Sequence, residues 1–235
     1  MSSKKPEWYY DEKKQVGIDY NNDKEVEGYD DDAKFRDIEE EIKIISYAIN
    51  LQKNYTILEF GTGTGELGIA LAKKCKKVIA ADVSEKMIAY ASKKALKHKV
   101  KNIDFVHAGF LTYEKPDFEI DAIVTQIALH HLPDFWKMIA IKNMYSILKH
   151  GGKLCLIDCI LSFDINDFDN FMKKYLETTW KFAGENKAKE FIINIRDEFP
   201  TFDWIIENML TKAGFKLDRV ERYEGYFAGF VCTKP

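Results

Sequence analysis

The chain has little of what would place it outside ordinary globular proteins. Its 4 cysteines, Cys75, Cys155, Cys159 and Cys232, form no CxxC pair and carry no metal-ligand spacing. Neither a disulfide framework nor a cysteine-bound metal is therefore expected, and four buried or half-buried thiols in a reducing compartment are. With 5 Pro and 13 Gly in 235 residues, the composition offers no disordered or low-complexity stretch beyond the first few residues. No apolar run approaches the ~20 residues that cross a bilayer. The opening stretch MSSKKPEWYYDEKK is charged and lacks the apolar core of a signal peptide, so a cytoplasmic location is expected. Charge of one sign is also missing: 35 Lys and Arg face 38 Asp and Glu, a net charge of −3. Such a field recruits no polyanion. The lysine clusters 73–77 and 93–101 fall on outer helix faces or helix ends and read as solvated surface, so a nucleic-acid partner is not expected.

What is present is a core-forming chain, 46% hydrophobic and 31% charged, long enough for one large domain or for a domain with a small lid. Residues 1–34 are acidic and aromatic and show no helical or strand period. Phe35, Ile38, Ile42, Ile45 and Ile49 then recur at three- and four-residue spacing, which predicts an amphipathic helix. Short apolar runs follow at Ile57–Phe60, Val78–Ala81, Ile103–Val106, Ile120–Val124 and Leu154–Ile157. Helical patterns separate them: Glu66–Lys74, a helix capped by Ser84, and one through Trp136 and Ile147 that Gly151 and Gly152 should end. Strands alternating with helices imply a parallel sheet covered on both faces.

Two segments break that rhythm. Residues 159–202 make a long aromatic connection with helical stretches. After it come a helix, Trp204–Lys212, and two strands, Lys216–Arg222 and Tyr226–Cys232, joined by Glu224-Gly225. That dipeptide suggests a hairpin, so the last strand should run antiparallel. The expected fold is α/β: a doubly wound, seven-stranded, mostly parallel sheet with an antiparallel last strand, helices on both faces and a helical lid insertion. Four parts are expected: an N-terminal lid segment at 1–34, an α/β core at 35–158, the insertion at 159–202, and a helix with a hairpin at 203–235 that completes the sheet.

The chemistry sits at the first strand's end. Gly61-Thr62-Gly63-Thr64-Gly65 turns sharply and leaves backbone bare for a ligand. Gly63, Gly65 and Gly68 also spell GxGxxG, so an NAD-type reading stands beside any other. Asp82 ends the second strand, where ligands of open α/β sheets bind, and its carboxylate suits a ribose. Glu59, two residues before the loop, faces a cationic ligand better than a pyrophosphate.

These residues, with IVTQIALHHLPD (123–134) and LKHGGKLCLID (148–158), arrive in the order and spacing of the class I methyltransferases that use S-adenosylmethionine, and residues 55–160 resemble that family. The resemblance implies a cofactor site of Glu59, Gly61, Thr62, Gly63, Gly65, Asp82, Val83, Met87, Gly109, Phe110 and Gln126. One position departs from the pattern: where the family carries an acidic residue for the adenine amino group, this chain has Gly109. Adenine would then rest on the Phe110 backbone N–H and on stacking, with Met87 on its other face.

Methyl transfer from a sulfonium needs no metal, and none is expected. His130 and His131 follow the fourth strand; His131 is the candidate base, against a bland reading as packing and turn structure. The residues around Gln126 lack the Asn/Asp-Pro-Pro-Tyr of enzymes acting on exocyclic amines. A small-molecule acceptor is expected, in a pocket built from Trp8, Tyr9, Tyr10, Phe163, Phe168, Phe171, Tyr175 and Trp180, unless these only form the core of a lid. The alternatives are an RNA or protein methyltransferase, an NAD-dependent oxidoreductase and a cofactor-binding module without turnover.

Overall fold

The computed structural model describes residues 6–14, 16–32 and 36–235. In chain order its strands are β1 (Thr56–Phe60), β2 (Lys77–Asp82), β3 (Ile103–His107), β4 (Ile120–Gln126), β5 (Leu148–Leu161), β6 (Thr201–Phe202), β7 (Lys216–Tyr223) and β8 (Phe227–Thr233). Seven of them form one sheet in the order β3-β2-β1-β4-β5-β8-β7, and the two-residue β6 adds to β5 outside that path. From β3 to β5 every pairing is parallel; β8 runs antiparallel to both β5 and β7. The expected doubly wound sheet with an antiparallel last strand is what the chain forms.

Strand residues alternate between two cores, which is why the strands read as unbroken apolar runs. Leu58, Ile79, Ile123 and Leu154 face one way, packing on α5 (Asp134–Ile147) and α8 (Asp203–Ala213) through Ile141, Met144, Ile206 and Leu210. Ile57, Val78, Val124 and Cys155 face the other way, meeting α2 (Ile38–Ala48) and α3 (Glu66–Ala72) through Ile45, Leu67 and Leu71. Ser84 caps α4 (Glu85–Lys97) by accepting from the Met87 amide at 3.1 Å. Phe35, expected to open the first apolar helix, lies outside the described residues.

The structure corrects the sequence reading in two places. Gly151 and Gly152 do not end α5, which stops at Ile147; they lie inside β5, where the pairing with β4 jumps from Ile120↔Leu148 to Ala122↔Lys153. Gly151, with φ +72°, lets the strand bulge there and resume register. Residues 1–34, read without any period, contain a helix, α1 (Asp23–Asp32), in which Val26 is the one buried side chain among those described. Tertiary contacts hold it: Asp30 accepts from the Thr64 hydroxyl at 2.6 Å and from Lys94 at 2.8 Å.

The long connection folds as α6 (Phe168–Ala183) and α7 (Glu185–Asp197), joined at Gly184. Cys159, Leu161, Phe191 and Tyr226 form a small core beneath them. The connection returns to the sheet through β6, paired in parallel with Ile160 and Leu161. The Glu224-Gly225 turn has positive φ at both residues, +52° and +74°, as a tight hairpin between twisted strands requires. No helix among the described residues is long and apolar enough to cross a membrane.

Candidate functional site

The carboxyl ends of β1, β2 and β4 meet at the glycine loop. Gly61 has φ +70°, and a Cβ there would lie 2.3 Å from that of Ala128, so the position requires glycine twice over. Gly63 donates its N–H to Asp82 at 2.8 Å. Gly65 begins α3 at φ +80° against Ala91 and lines neither of the cavities below; its part is structural.

Glu59 is buried and accepts from the Thr62 hydroxyl at 2.7 Å. Burial pushes its carboxyl up to about 7, against the Thr62 hydrogen bond and the charge of Arg36. Arg36 reaches the same region, bonded to Glu41 and, at 2.9 Å, to Gln126 Oε1. Gly68, the last glycine of the GxGxxG reading, makes room for this carboxylate: a Cβ there would be 2.4 Å from Glu59 Oε2. An acid packed at that glycine is a poor neighbour for a pyrophosphate and a good one for a sulfonium or ammonium.

Asp82 is also buried, and burial raises its pKa while the amides of Ser84 (2.9 Å) and Gly63 oppose the rise. It thus ties the glycine loop to the start of α4. With the Val83 amide also bonded to it, one lone-pair direction of its carboxylate remains for a ligand.

Two adjoining cavities open at this edge. The inner one, of about 120 Å³, is lined by Gly61, Gly63, Asp82, Val83, Met87, Gly109, Phe110 and His131 among others. The outer one, of about 730 Å³, is lined by Glu59, Gly61, Thr62 and Gln126 and is roofed by α6 and α7. Tyr20, Tyr29, Gly61, Ile127 and His130 belong to both walls. Ile127 holds φ +50°, costly for a β-branched residue and a mark of functional loops. All the cofactor candidates named from the sequence except Gly65 come together here. Phe110 turns its ring into the core, 4.9 Å from that of Phe60, so it is not a stacking platform.

Sequence reasoning missed Glu12. Its carboxylate accepts from the Leu111 amide (3.0 and 2.9 Å) and from the Thr112 hydroxyl (2.7 Å), and a Cβ on Gly109 would lie 2.5 Å from its Oε2. The Glu12 carboxylate thus occupies the space that a side chain at position 109 would take, and its only local signal was the missing acid at Gly109.

His130 and His131 differ sharply. His130 is buried, its Nδ1 2.5 Å from Asp158 Oδ1 and its Nε2 3.3 Å from Glu198 Oε2. Burial pulls this imidazole down, but the two carboxylates outweigh it and lift it to about 9. His131 is half-buried, and burial with the His130 charge pushes it down to about 4. At neutral pH its lone pair is available, yet it is a weak general base.

Of the aromatic residues expected around an acceptor, only Tyr175 reaches the outer cavity. Phe163 and Phe171 stack on each other at 4.1 Å, Tyr9 and Tyr10 pack on Trp136, and Trp8 and Trp180 are exposed. They bury their own apolar area or face solvent, the commoner fate of such residues.

The chain has relatives both in sequence and in fold. A family model described as "Methyltransferase domain" matches residues 57–152. An uncharacterised methyltransferase of Geobacillus is 34% identical over 169 residues, 72% of this chain and 76% of the relative. One from Bacillus velezensis is 31% identical over 159 residues, 68% of each chain. Among solved structures, an S-adenosylmethionine-dependent methyltransferase from Aquifex aeolicus superposes with a TM-score of 0.66 at 21% identity, covering 93% of this chain and 100% of its own. A magnesium protoporphyrin IX methyltransferase from Synechocystis, with bound S-adenosylhomocysteine, gives 0.65 at 16% identity, covering 92% and 97%. Both show the shared fold.

Proposed function

The chain belongs to the class I methyltransferases that use S-adenosylmethionine, and from that premise we propose that it methylates a small molecule held in the outer cavity beneath α6 and α7. The observation that carries this reading is the pair of joined cavities at the carboxyl edge, one roofed by helices and about 730 Å³ in volume, the scale of a small-ligand pocket.

The residues at the junction would hold the cofactor. Its adenine enters the inner cavity between Met87, Val83 and the Gly109-Phe110 backbone, with Glu12 accepting from the amino group. Asp82 takes a ribose hydroxyl. The methionine end runs past Gly61 and Gly63 toward Thr62, Gln126 and Arg36, with Glu59 near its positive charge. The methyl would be presented toward the outer cavity, at the wall that Ile127 and His130 share between the two. Holding acceptor and methyl in line within ~3–3.5 Å can contribute ~7–11 kcal/mol. His131 is not assigned the role of base, because a group pushed down to about 4 takes a proton weakly at neutral pH.

Labelled S-adenosylmethionine, incubated with the protein and a cell extract split into small-molecule, protein and RNA fractions, tests the reading. Label should enter the small-molecule fraction. Counts confined to RNA or protein would overturn it. Binding of NAD with no binding of S-adenosylhomocysteine would overturn the cofactor as well.

A further inference from the structure

At the wall shared by the two cavities, three side chains point their donor atoms at one another. His130, His131 and Glu198 each offer one ligand atom, all within 4.8 Å of each other. His130 Nε2 is 3.3 Å from Glu198 Oε2, and His131 Nδ1 is 3.8 Å from Glu198 Oε1. A tetrahedral ion with ligands at about 2.0–2.2 Å spaces neighbouring donors by roughly 3.3–3.6 Å. The side chains stand close to that spacing.

The surroundings fix these donors as the outer partners of a metal site do. His130 presents Nε2 because Asp158 holds Nδ1 at 2.5 Å. Glu198 is oriented by the Asn194 amide at 2.6 Å, and Asn194 in turn by the Tyr226 hydroxyl. Gly17 packs where a Cβ would overlap Glu198 Oε1, closing the site from the N-terminal side. A second donor set, His130 with Asp158 and Cys159, is also within reach. It is ruled out by saturation: Asp158 already accepts from the amides of Leu129, His130 and Cys159 and from the His130 ring, which uses all its lone pairs.

We infer that His130, His131 and Glu198 form a binding site for a first-row divalent cation of the zinc type. Two imidazoles and a carboxylate suit such an ion, and three protein ligands leave a position open. Because His130 lines both cavities, the open position faces the place where methyl and acceptor meet. Its role rests on the reading above: it binds a hydroxyl or thiol acceptor as the anion. The acceptor's proton leaves to water. The oxygen or sulfur lone pair then forms the bond to the methyl carbon, as the carbon–sulfur bond of the sulfonium breaks with its electron pair going to sulfur.

The full chain, freed of metal with a chelator, is titrated with zinc chloride and, for its absorption bands, cobalt chloride. About one ion per chain should bind, and cobalt should show the intense visible bands of a four- or five-coordinate site. Losing even an outer partner costs about 10–100-fold in affinity, so His131→Ala and Glu198→Gln should each lose at least that much. Both variants must keep the circular dichroism spectrum and the cooperative melting of the parent chain, which shows that they fold. No stoichiometric binding of zinc or cobalt, or binding unchanged in both variants, overturns the site. S-adenosylhomocysteine binding to the metal-free chain separates the two ideas: if it holds while metal does not bind, only the metal inference fails, and if it is absent, the cofactor reading fails.

Discussion

Glu12 and Gly109 are complementary: the carboxylate of one lies 2.5 Å from where a Cβ of the other would stand, 97 residues apart in the chain. Alanine at position 12 should weaken S-adenosylhomocysteine binding by roughly ten- to a hundredfold, since hydrogen bonds to charged groups contribute about 1.5–3 kcal/mol. It should also erase discrimination against the hypoxanthine analogue, whose oxygen the carboxylate repels. Calorimetry with both ligands measures this; unchanged discrimination would remove Glu12 from the adenine site.

Glu59 gives a pH dependence with a defined sign. Burial holds its carboxyl at about 7 in the free protein, and a bound sulfonium and ammonium favour the ionised form. Binding below that value therefore expels a proton. Affinity should rise with pH up to about 7 and flatten above it. Glu59→Gln should abolish the slope, as read by titration in buffers of different ionisation enthalpy.

Asp82 serves the loop as well as the ligand. Asp82→Ala leaves the Gly63 and Ser84 amides without their acceptor, which costs about 1–3 kcal/mol for each group left unpaired in the interior. At roughly 2–4 °C per kcal/mol for a chain of this size, the melting temperature should fall by several degrees. Asp82→Asn keeps one acceptor oxygen and should lose less. Thermal scans beside ligand titrations separate the two roles, and equal melting of all three proteins would contradict the loop's dependence on this carboxylate.

Gly61→Ala should destabilise the protein through its Cβ, 2.3 Å from that of Ala128, and through its left-handed φ. Ala128→Gly in the same chain removes the overlap and not the backbone cost, so rescue should be partial. A double-mutant cycle in urea measures the coupling. Strictly additive effects would mean that the loop relaxes away from Ala128.

The sheet and the glycine loop were legible because both are local. Apolar runs mark strands buried on two faces, and glycines mark a turn that side chains would block. Asp82 and Glu59 were found for the same reason, lying within a few residues of a recognisable strand end. Glu12 and Glu198 carry no such sign. Glu12 reaches the site from the acidic, aromatic N-terminal segment and Glu198 from the aromatic connection, neither of whose patterns marks a site, and only contacts with Leu111 and His130, about 99 and 68 residues away, assign them a place. α1 escaped notice likewise: one buried valine gives no stripe, and the helix depends on Thr64 and Lys94 beyond it. The aromatic residues misled in the opposite direction, since periodicity records burial and not which cavity a ring faces.

The roof divides unequally at Gly184. That glycine has φ +90° with open space around it, and no residue of α6, which precedes it, is buried. α7, which follows, buries Ala188, Phe191 and Asn194 and delivers Glu198 to His130. Exchange of segments between relatives should respect that boundary. α6 is a replaceable cover through which acceptor preference could drift or be redesigned, whereas α7 is bound to the sheet's chemistry and would have to be inherited with it.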